Sequence, residues 1–248
     1  MGKDRSNIGF WDKAAENYST YLQKGKNDWV TIYRPAIDEL LGEVRGKRIL
    51  DAGCGEGYYC RRLSLQGAFV TGIDGSKKMI ARARGKNPES EVNYQVMDLT
   101  ERLGLKEAQF DIVLANMVLM DIPRIDVAIG EFARILKENG VLVFCITHPC
   151  FFCYDWVQGE KGAKLHKPIS DYLNEKVEEL TFWGKTLHYH RPLSYYFGLL
   201  EANGFCVTSL KEPIPSNELL RKHPEWKYHT RIPSFIALKA ILRCKESA

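Results

Sequence analysis

The feature that most limits the folds open to this chain is an apolar run that empties into glycines. "RILDAGCGEGYYCRRL" (48–63) leads through Ile49 and Leu50 to Asp51, then places Gly53, Gly55 and Gly57 at alternate positions ahead of a helical pattern. A buried strand, a tight turn and a helix in that order open a βα unit. The alternation continues. "AFVTGID" (68–74) reads as a second strand, and "SKKMIARARGK" (76–86) as a second helix with Ser76 as its N-cap. "VNYQVMD" (92–98) and "FDIVLAN" (110–116) read as a third and a fourth strand. Ile125, Ala128, Ile129, Phe132 and Leu136 then recur at helical spacing up to Asn139-Gly140, before a fifth strand, "VLVFCIT" (141–147). Apolar strands alternating with helices imply a doubly wound α/β fold, a largely parallel sheet covered on both faces.

Charge decides what the glycine turn can hold. Asp51 and Glu56 flank it, so a dinucleotide's diphosphate would meet two carboxylates beside the helix N-terminus. A cationic nucleoside without phosphate suits the turn better. The second strand ends in Asp74, followed by Gly75 and Ser76. A carboxylate there can accept both hydroxyls of a ribose. The third strand ends in Asp98-Leu99, placed to read an adenine edge.

"LDAGCGEG", "GIDGS", "MDL" and "FDIVLANMVLMDI", followed by "ILKENGVLVF", together resemble the class I S-adenosylmethionine-dependent methyltransferases of the small-molecule type. The resemblance covers roughly residues 10–147 well and the rest in outline. It implies a Rossmann-like seven-stranded sheet, mostly parallel with an antiparallel C-terminal strand. It also implies S-adenosyl-L-methionine as cofactor, with S-adenosyl-L-homocysteine as product. By the same resemblance Gly53 and Gly55 pass the methionine moiety, with Asp51 beside them. Asp74 holds the ribose, Asp98 meets the adenine amino group, and Asn116 and Met117 lie by the sulfonium. "FWDKAAENYSTY" is similar to an N-terminal helix whose tyrosine, here Tyr18, closes over the cofactor; ordinary helix packing is the competing reading.

The expected organisation is one methyltransferase domain over 1–248: a helical cap (1–45), a cofactor-binding half (46–148), an insertion (149–191), and a C-terminal helix and strands (192–248). The insertion is dense in aromatics, and Phe152, Tyr154, Trp156 and Trp183 are the expected walls of a lid over a hydrophobic, aromatic or cationic small-molecule acceptor. His148 after the fifth strand and His190 before the next helix are the candidate catalytic bases. Asp121, in "LMDIP", reads as a helix start. Cys150-x-x-Cys153 has ligand spacing but no second pair, so no metal is expected.

Composition limits the alternatives. A formal net charge of +4 is too mild to demand a polyanionic partner. "ANMV" stands where methyltransferases of exocyclic base amines carry [DN]-P-P-[YF], which argues against exocyclic base amines as acceptor. An RNA or protein methyltransferase and a non-catalytic nucleoside-binding protein remain the competing classes. No stretch has the roughly 20 apolar residues of a membrane span, and the start lacks a signal-peptide core. Seven cysteines, an odd number, suit a reduced, cytoplasmic protein. The acceptor atom and the oligomeric state stay open.

Overall fold

The computed structural model describes residues 7–23, 28–86, 89 and 91–243. In chain order the elements are α1 (Ile8–Gln23), α2 (Asp28–Leu41), β1 (Arg48–Ala52), α3 (Tyr58–Leu65), β2 (Phe69–Asp74), α4 (Lys77–Lys86), β3 (Asn93–Val96), β4 (Phe110–Asn116), α5 (Ile125–Ile135) and β5 (Leu136–Thr147). The insertion follows with β6 (Val157–Gln158), β7 (Lys164–His166), β8 (Lys176–Leu180) and β9 (Thr186–His190). The chain then continues through α6 (Leu193–Ala202), β10 (Phe205–Lys211), α7 (Asn217–Lys222) and β11 (Phe235–Leu242).

Seven strands form the main sheet in the order β10-β11-β5-β4-β1-β2-β3. β1 pairs parallel with β2 and β4, β2 with β3, and β4 with β5; β11 runs antiparallel to both β5 and β10. The strand order reverses between β1 and β4, and ligands of open α/β sheets bind outside the strand ends at such a point. Strand periodicity divides the core. Ile49, Leu114 and Val143 face α2 and α3 on one side, while Leu50, Val113 and Phe144 face α5 and α6 on the other.

Several expectations change in detail. The helix expected to run to Asn139-Gly140 ends at Ile135, and Leu136 already pairs with Phe110. Asn139 takes a left-handed turn (φ 59°) inside the β5 run. Asp121 starts no helix: it closes a single 3-10 turn, Leu119–Asp121, and α5 begins at Ile125. Ser76 does cap α4, accepting from the Met79 N–H at 3.1 Å. A second cap comes from far away: Asp12 on α1 accepts from Ser76 Oγ (2.5 Å) and from the Lys78 N–H (3.2 Å).

The insertion folds as two small hairpins, β6–β7 and β8–β9. Every residue of β9 is buried. Asn7, at the head of α1, joins β9 to the turn after β4: its amide donates to Leu187 O (2.7 Å) and Asp121 O (2.9 Å) and accepts from the Leu187 N–H (3.0 Å). Arg191, itself buried, donates to Leu119 O, Ile122 O and Pro123 O at 3.4, 2.9 and 2.7 Å. The insertion is thereby a buttress beneath α1 and the 119–123 turn. No helix among the described residues is long and apolar enough to cross a membrane.

Candidate active site

The carboxyl ends of β1, β2 and β4 open into a cavity of about 430 Å3, covered by α1 and α2. The glycine turn forms its floor. Gly53 and Cys54 both donate their N–H to Ile73 O (2.8 and 2.9 Å), folding the turn back onto β2. Gly53, Gly55 and Gly57 all have left-handed φ, at 73°, 52° and 78°. Their reasons differ. A Cβ on Gly53 would lie 2.4 Å from Val118 Cγ2, and one on Gly57 would lie 2.4 Å from the Tyr94 hydroxyl. A Cβ on Gly55 would meet nothing within 4 Å. Two of the three glycines are therefore required by the protein's own packing, and Gly55 by its backbone conformation.

The acids expected at the strand ends all line this cavity: Asp51, Asp74 and Asp98, with Glu56 from the turn. Asp51 accepts from the Cys60 thiol at 3.1 Å, and burial pushes its carboxyl up to about 7. Asp74 accepts from the Gly55 and Ser76 N–H groups (2.9 and 2.8 Å), which fixes the carboxylate plane. Burial still raises it to about 6 against those two donors. Asp98 uses one oxygen for the Thr100 N–H and hydroxyl, both at 2.8 Å, and its other oxygen takes no hydrogen bond among the described residues. Glu56 pairs through one oxygen with Lys86, while its second oxygen is buried without a partner. Gly75, Ser76, Leu99, Asn116, Met117 and Tyr18 line the cavity as well. Ser76 arrives with its hydroxyl already spent on the two caps. Asn116 Oδ1 is itself buried, with no hydrogen-bond partner among the described residues. Met117 leaves β4 with φ 55°, a conformation that costs on the order of 1 kcal/mol for a non-glycine residue and clusters where strands meet ligands.

The expected bases and acceptor walls are not brought to the cavity. His148 is buried with both nitrogens engaged: Nε2 meets Glu212 Oε1 at 2.9 Å, and Nδ1 accepts from the Cys150 N–H at 3.2 Å. Burial lowers its basicity against the raising influence of Glu212. His190 Nε2 hydrogen-bonds Tyr172 O at 2.8 Å within the insertion. Phe152 packs on His188, Trp156 on Tyr228, and the Tyr154 hydroxyl donates to Ser170 O. None of the five borders the cavity. Trp183 stands behind it, edge-on to Tyr18 at 5.0 Å and tilted on Trp11 at 5.8 Å. The cavity's apolar walls are instead Trp11, Leu22, Val30 and Tyr33, with Met117 and Ile122 opposite. Sequence reasoning missed Trp11, Tyr33 and Asp121. An acid inside the otherwise apolar "VLMDIP" was the one available signal for Asp121.

The donor set fits a cationic nucleoside. Asp74 presents a fixed carboxylate for paired hydroxyls, Asp98 an unused oxygen, and Asp51 and Glu56 an anionic floor for an ammonium or sulfonium.

Comparisons with known proteins identify the family. A family model described as "Methyltransferase domain" matches residues 50–144. A ubiquinone biosynthesis O-methyltransferase of Coxiella burnetii is 32% identical over 63% of this chain and 73% of its own. A Haemophilus influenzae protein of uncharacterised function is 25% identical over 94% of this chain and 96% of its own. The crystal structure of an S-adenosylmethionine-dependent methyltransferase from Mesorhizobium loti is 29% identical, with a TM-score of 0.77 over 85% of this chain and 97% of that one. With its switch-point cavity, its acidic strand ends and these relatives, the chain belongs to the S-adenosylmethionine-dependent methyltransferases, and its cofactor is S-adenosylmethionine.

Proposed function

We propose that the protein methylates a small molecule, with an oxygen nucleophile as the first choice of acceptor atom. The observation that carries this reading is the cover over the cavity: residues of α1 and α2 line it above the strand ends, and its volume of about 430 Å3 suits compact ligands. Trp11, Tyr18 and Tyr33 would present ring faces and edges to an aromatic or hydrophobic acceptor. Similarity to proteins named O-methyltransferases supports oxygen over nitrogen or carbon. The cofactor supplies an electrophilic methyl group.

The protein's contribution is placement. The Asp74 carboxylate, held by two backbone donors, fixes the ribose, and Asp51 and Glu56 set the amino-acid end. Asn116 and the left-handed Met117 shape the wall where acceptor and methyl meet. Holding two reactants at near-attack distance lowers the barrier by up to about 7–11 kcal/mol.

The test is incubation with isotopically labelled S-adenosylmethionine and a metabolite extract, then mass spectrometry of fractions above and below a size cut-off. Label in a small molecule is the expected result. Label confined to RNA or protein would replace this reading with a macromolecular acceptor, and no label in any fraction would favour a nucleoside-binding protein.

A further inference from the structure

Five carboxylates line the cavity: Asp51, Glu56, Asp74, Asp98 and Asp121. Four are tied to the protein, by the Cys60 thiol, Lys86, two backbone N–H groups, and Thr100 respectively. Asp121 is the exception: among the described residues nothing donates to its carboxylate. Its backbone, by contrast, is held on both sides. Asn7 holds the Asp121 carbonyl, and the Arg191 guanidinium holds the carbonyls of Leu119, Ile122 and Pro123 on either side. A rigid turn that presents one unspent acid to a cavity is what proton transfer needs.

We propose that Asp121 is the catalytic base, taking the proton from a hydroxyl-bearing acceptor; this rests on the reading of the site as an O-methyltransferase. As the hydroxyl oxygen forms its bond to the methyl carbon, the O–H proton passes to an Asp121 carboxylate oxygen. The carbon–sulfur bond breaks with its electron pair staying on sulfur. Aspartate and sulfonium become carboxylic acid and neutral thioether, so charge and atoms balance, and the proton then leaves to solvent. Burial, with the charge of Asp74 adding to it, holds the Asp121 carboxyl well above the usual carboxylate range, which makes it a stronger base than a surface aspartate. The other groups that feel its charge are Tyr18 from α1 and Tyr196 from α6, both phenols raised above their ordinary value chiefly by burial.

The test uses Asp121→Asn, an isosteric change, in the full chain, with melting temperature as a check on folding. One readout needs no turnover: the absorbance of 4-nitrocatechol bound to protein saturated with S-adenosylhomocysteine reports the probe's ionisation. An anionic Asp121 beside the hydroxyl opposes that ionisation, so the probe's apparent pKa should sit about one unit or more higher in the wild type than in the variant. In turnover with catechol, kcat/KM should fall by roughly 10²- to 10⁴-fold in the variant, and recover in part at higher pH as the acceptor ionises unaided. S-adenosylhomocysteine affinity should stay within about threefold. Equal probe titrations with equal turnover would overturn the assignment, as would a variant that loses cofactor affinity in step with activity. A wild type that binds S-adenosylhomocysteine but neither binds the probe nor methylates catechol overturns the hydroxyl acceptor, and Asp121 as its base. Failure to bind S-adenosylhomocysteine would overturn the cofactor reading itself.

Discussion

The strand ends around the glycine turn and the segment 148–190 hold similar inventories: buried titratable groups, aromatic rings and cysteines. They differ in how those groups are used. In the insertion, His148 is bonded at both nitrogens, His190 reaches a carbonyl, and the Tyr154 hydroxyl is spent on Ser170. At the strand ends, among the described residues, Asp98 keeps one oxygen unspent, Asn116 Oδ1 and a Glu56 oxygen are buried without partners, and nothing donates to the Asp121 carboxylate. A buried polar group left unpaired costs about 1–3 kcal/mol, so one that persists beside a cavity marks where a ligand completes the bonding. Residue type does not separate the two regions. Among the described residues, the strand ends leave acceptor oxygens of Glu56 and Asn116 unpaired, whereas the insertion leaves one donor, Trp183 Nε1.

The largest effect that would sharpen this contrast is on stability. Arg191→Leu strips three carbonyls of a charged donor, and unfolding in denaturant should show a loss of about 3 kcal/mol or more. A near-neutral result would mean the 119–123 turn does not depend on its buttress. Next comes cofactor affinity. Asp74→Ala should weaken S-adenosylhomocysteine binding by about 2–3 kcal/mol, roughly 30- to 150-fold, by calorimetry. His148→Gln and His190→Gln should leave that affinity unchanged; a comparable loss in either would erase the distinction between spent and unspent groups.

A smaller effect follows from proton linkage. Burial raises Asp51 to about 7 and Asp74 to about 6, while a cationic ligand and a ribose both favour the ionised carboxylates. Affinity for S-adenosylmethionine should therefore fall about tenfold as pH drops from about 8 to about 6, with protons released on binding. Calorimetry in buffers of different ionisation enthalpy reads that release, and pH-independent affinity would contradict it. The smallest effect concerns motion. Ligand binding should slow hydrogen exchange in α1, while exchange in the buried β9 stays as it was. Slowing in β9 instead would return the lid to the insertion.

What could be read from the sequence was whatever depends on neighbours along the chain. Strand periodicity placed Asp51, Asp74 and Asp98 at strand ends, and carboxylates there have few roles open to them. The glycines were seen but their cause was not, because Val118 and Tyr94 stand 65 and 37 positions beyond Gly53 and Gly57. For the insertion, aromatic density and a place directly after the fifth strand suggest a lid. Its rings pack on partners such as Tyr228 and Trp11, contacts that no local pattern encodes. Asp121 looked like any acid near a proline. Its meaning lies in the absence of a donor, a property of three-dimensional surroundings.

The cap that α1 lends to α4 has a kinetic consequence. Asp12 bonds Ser76 and Lys78 across the cofactor cleft, while Asn7, at the head of the same helix, bonds Leu187 and the Asp121 carbonyl. Lifting α1 to let spent cofactor out breaks both sets of bonds and leaves the first turn of α4 short of an acceptor. Traffic through the site is thus tied to undocking one helix, and the residence time of the demethylated product, more than the transfer itself, would set the pace of the catalytic cycle.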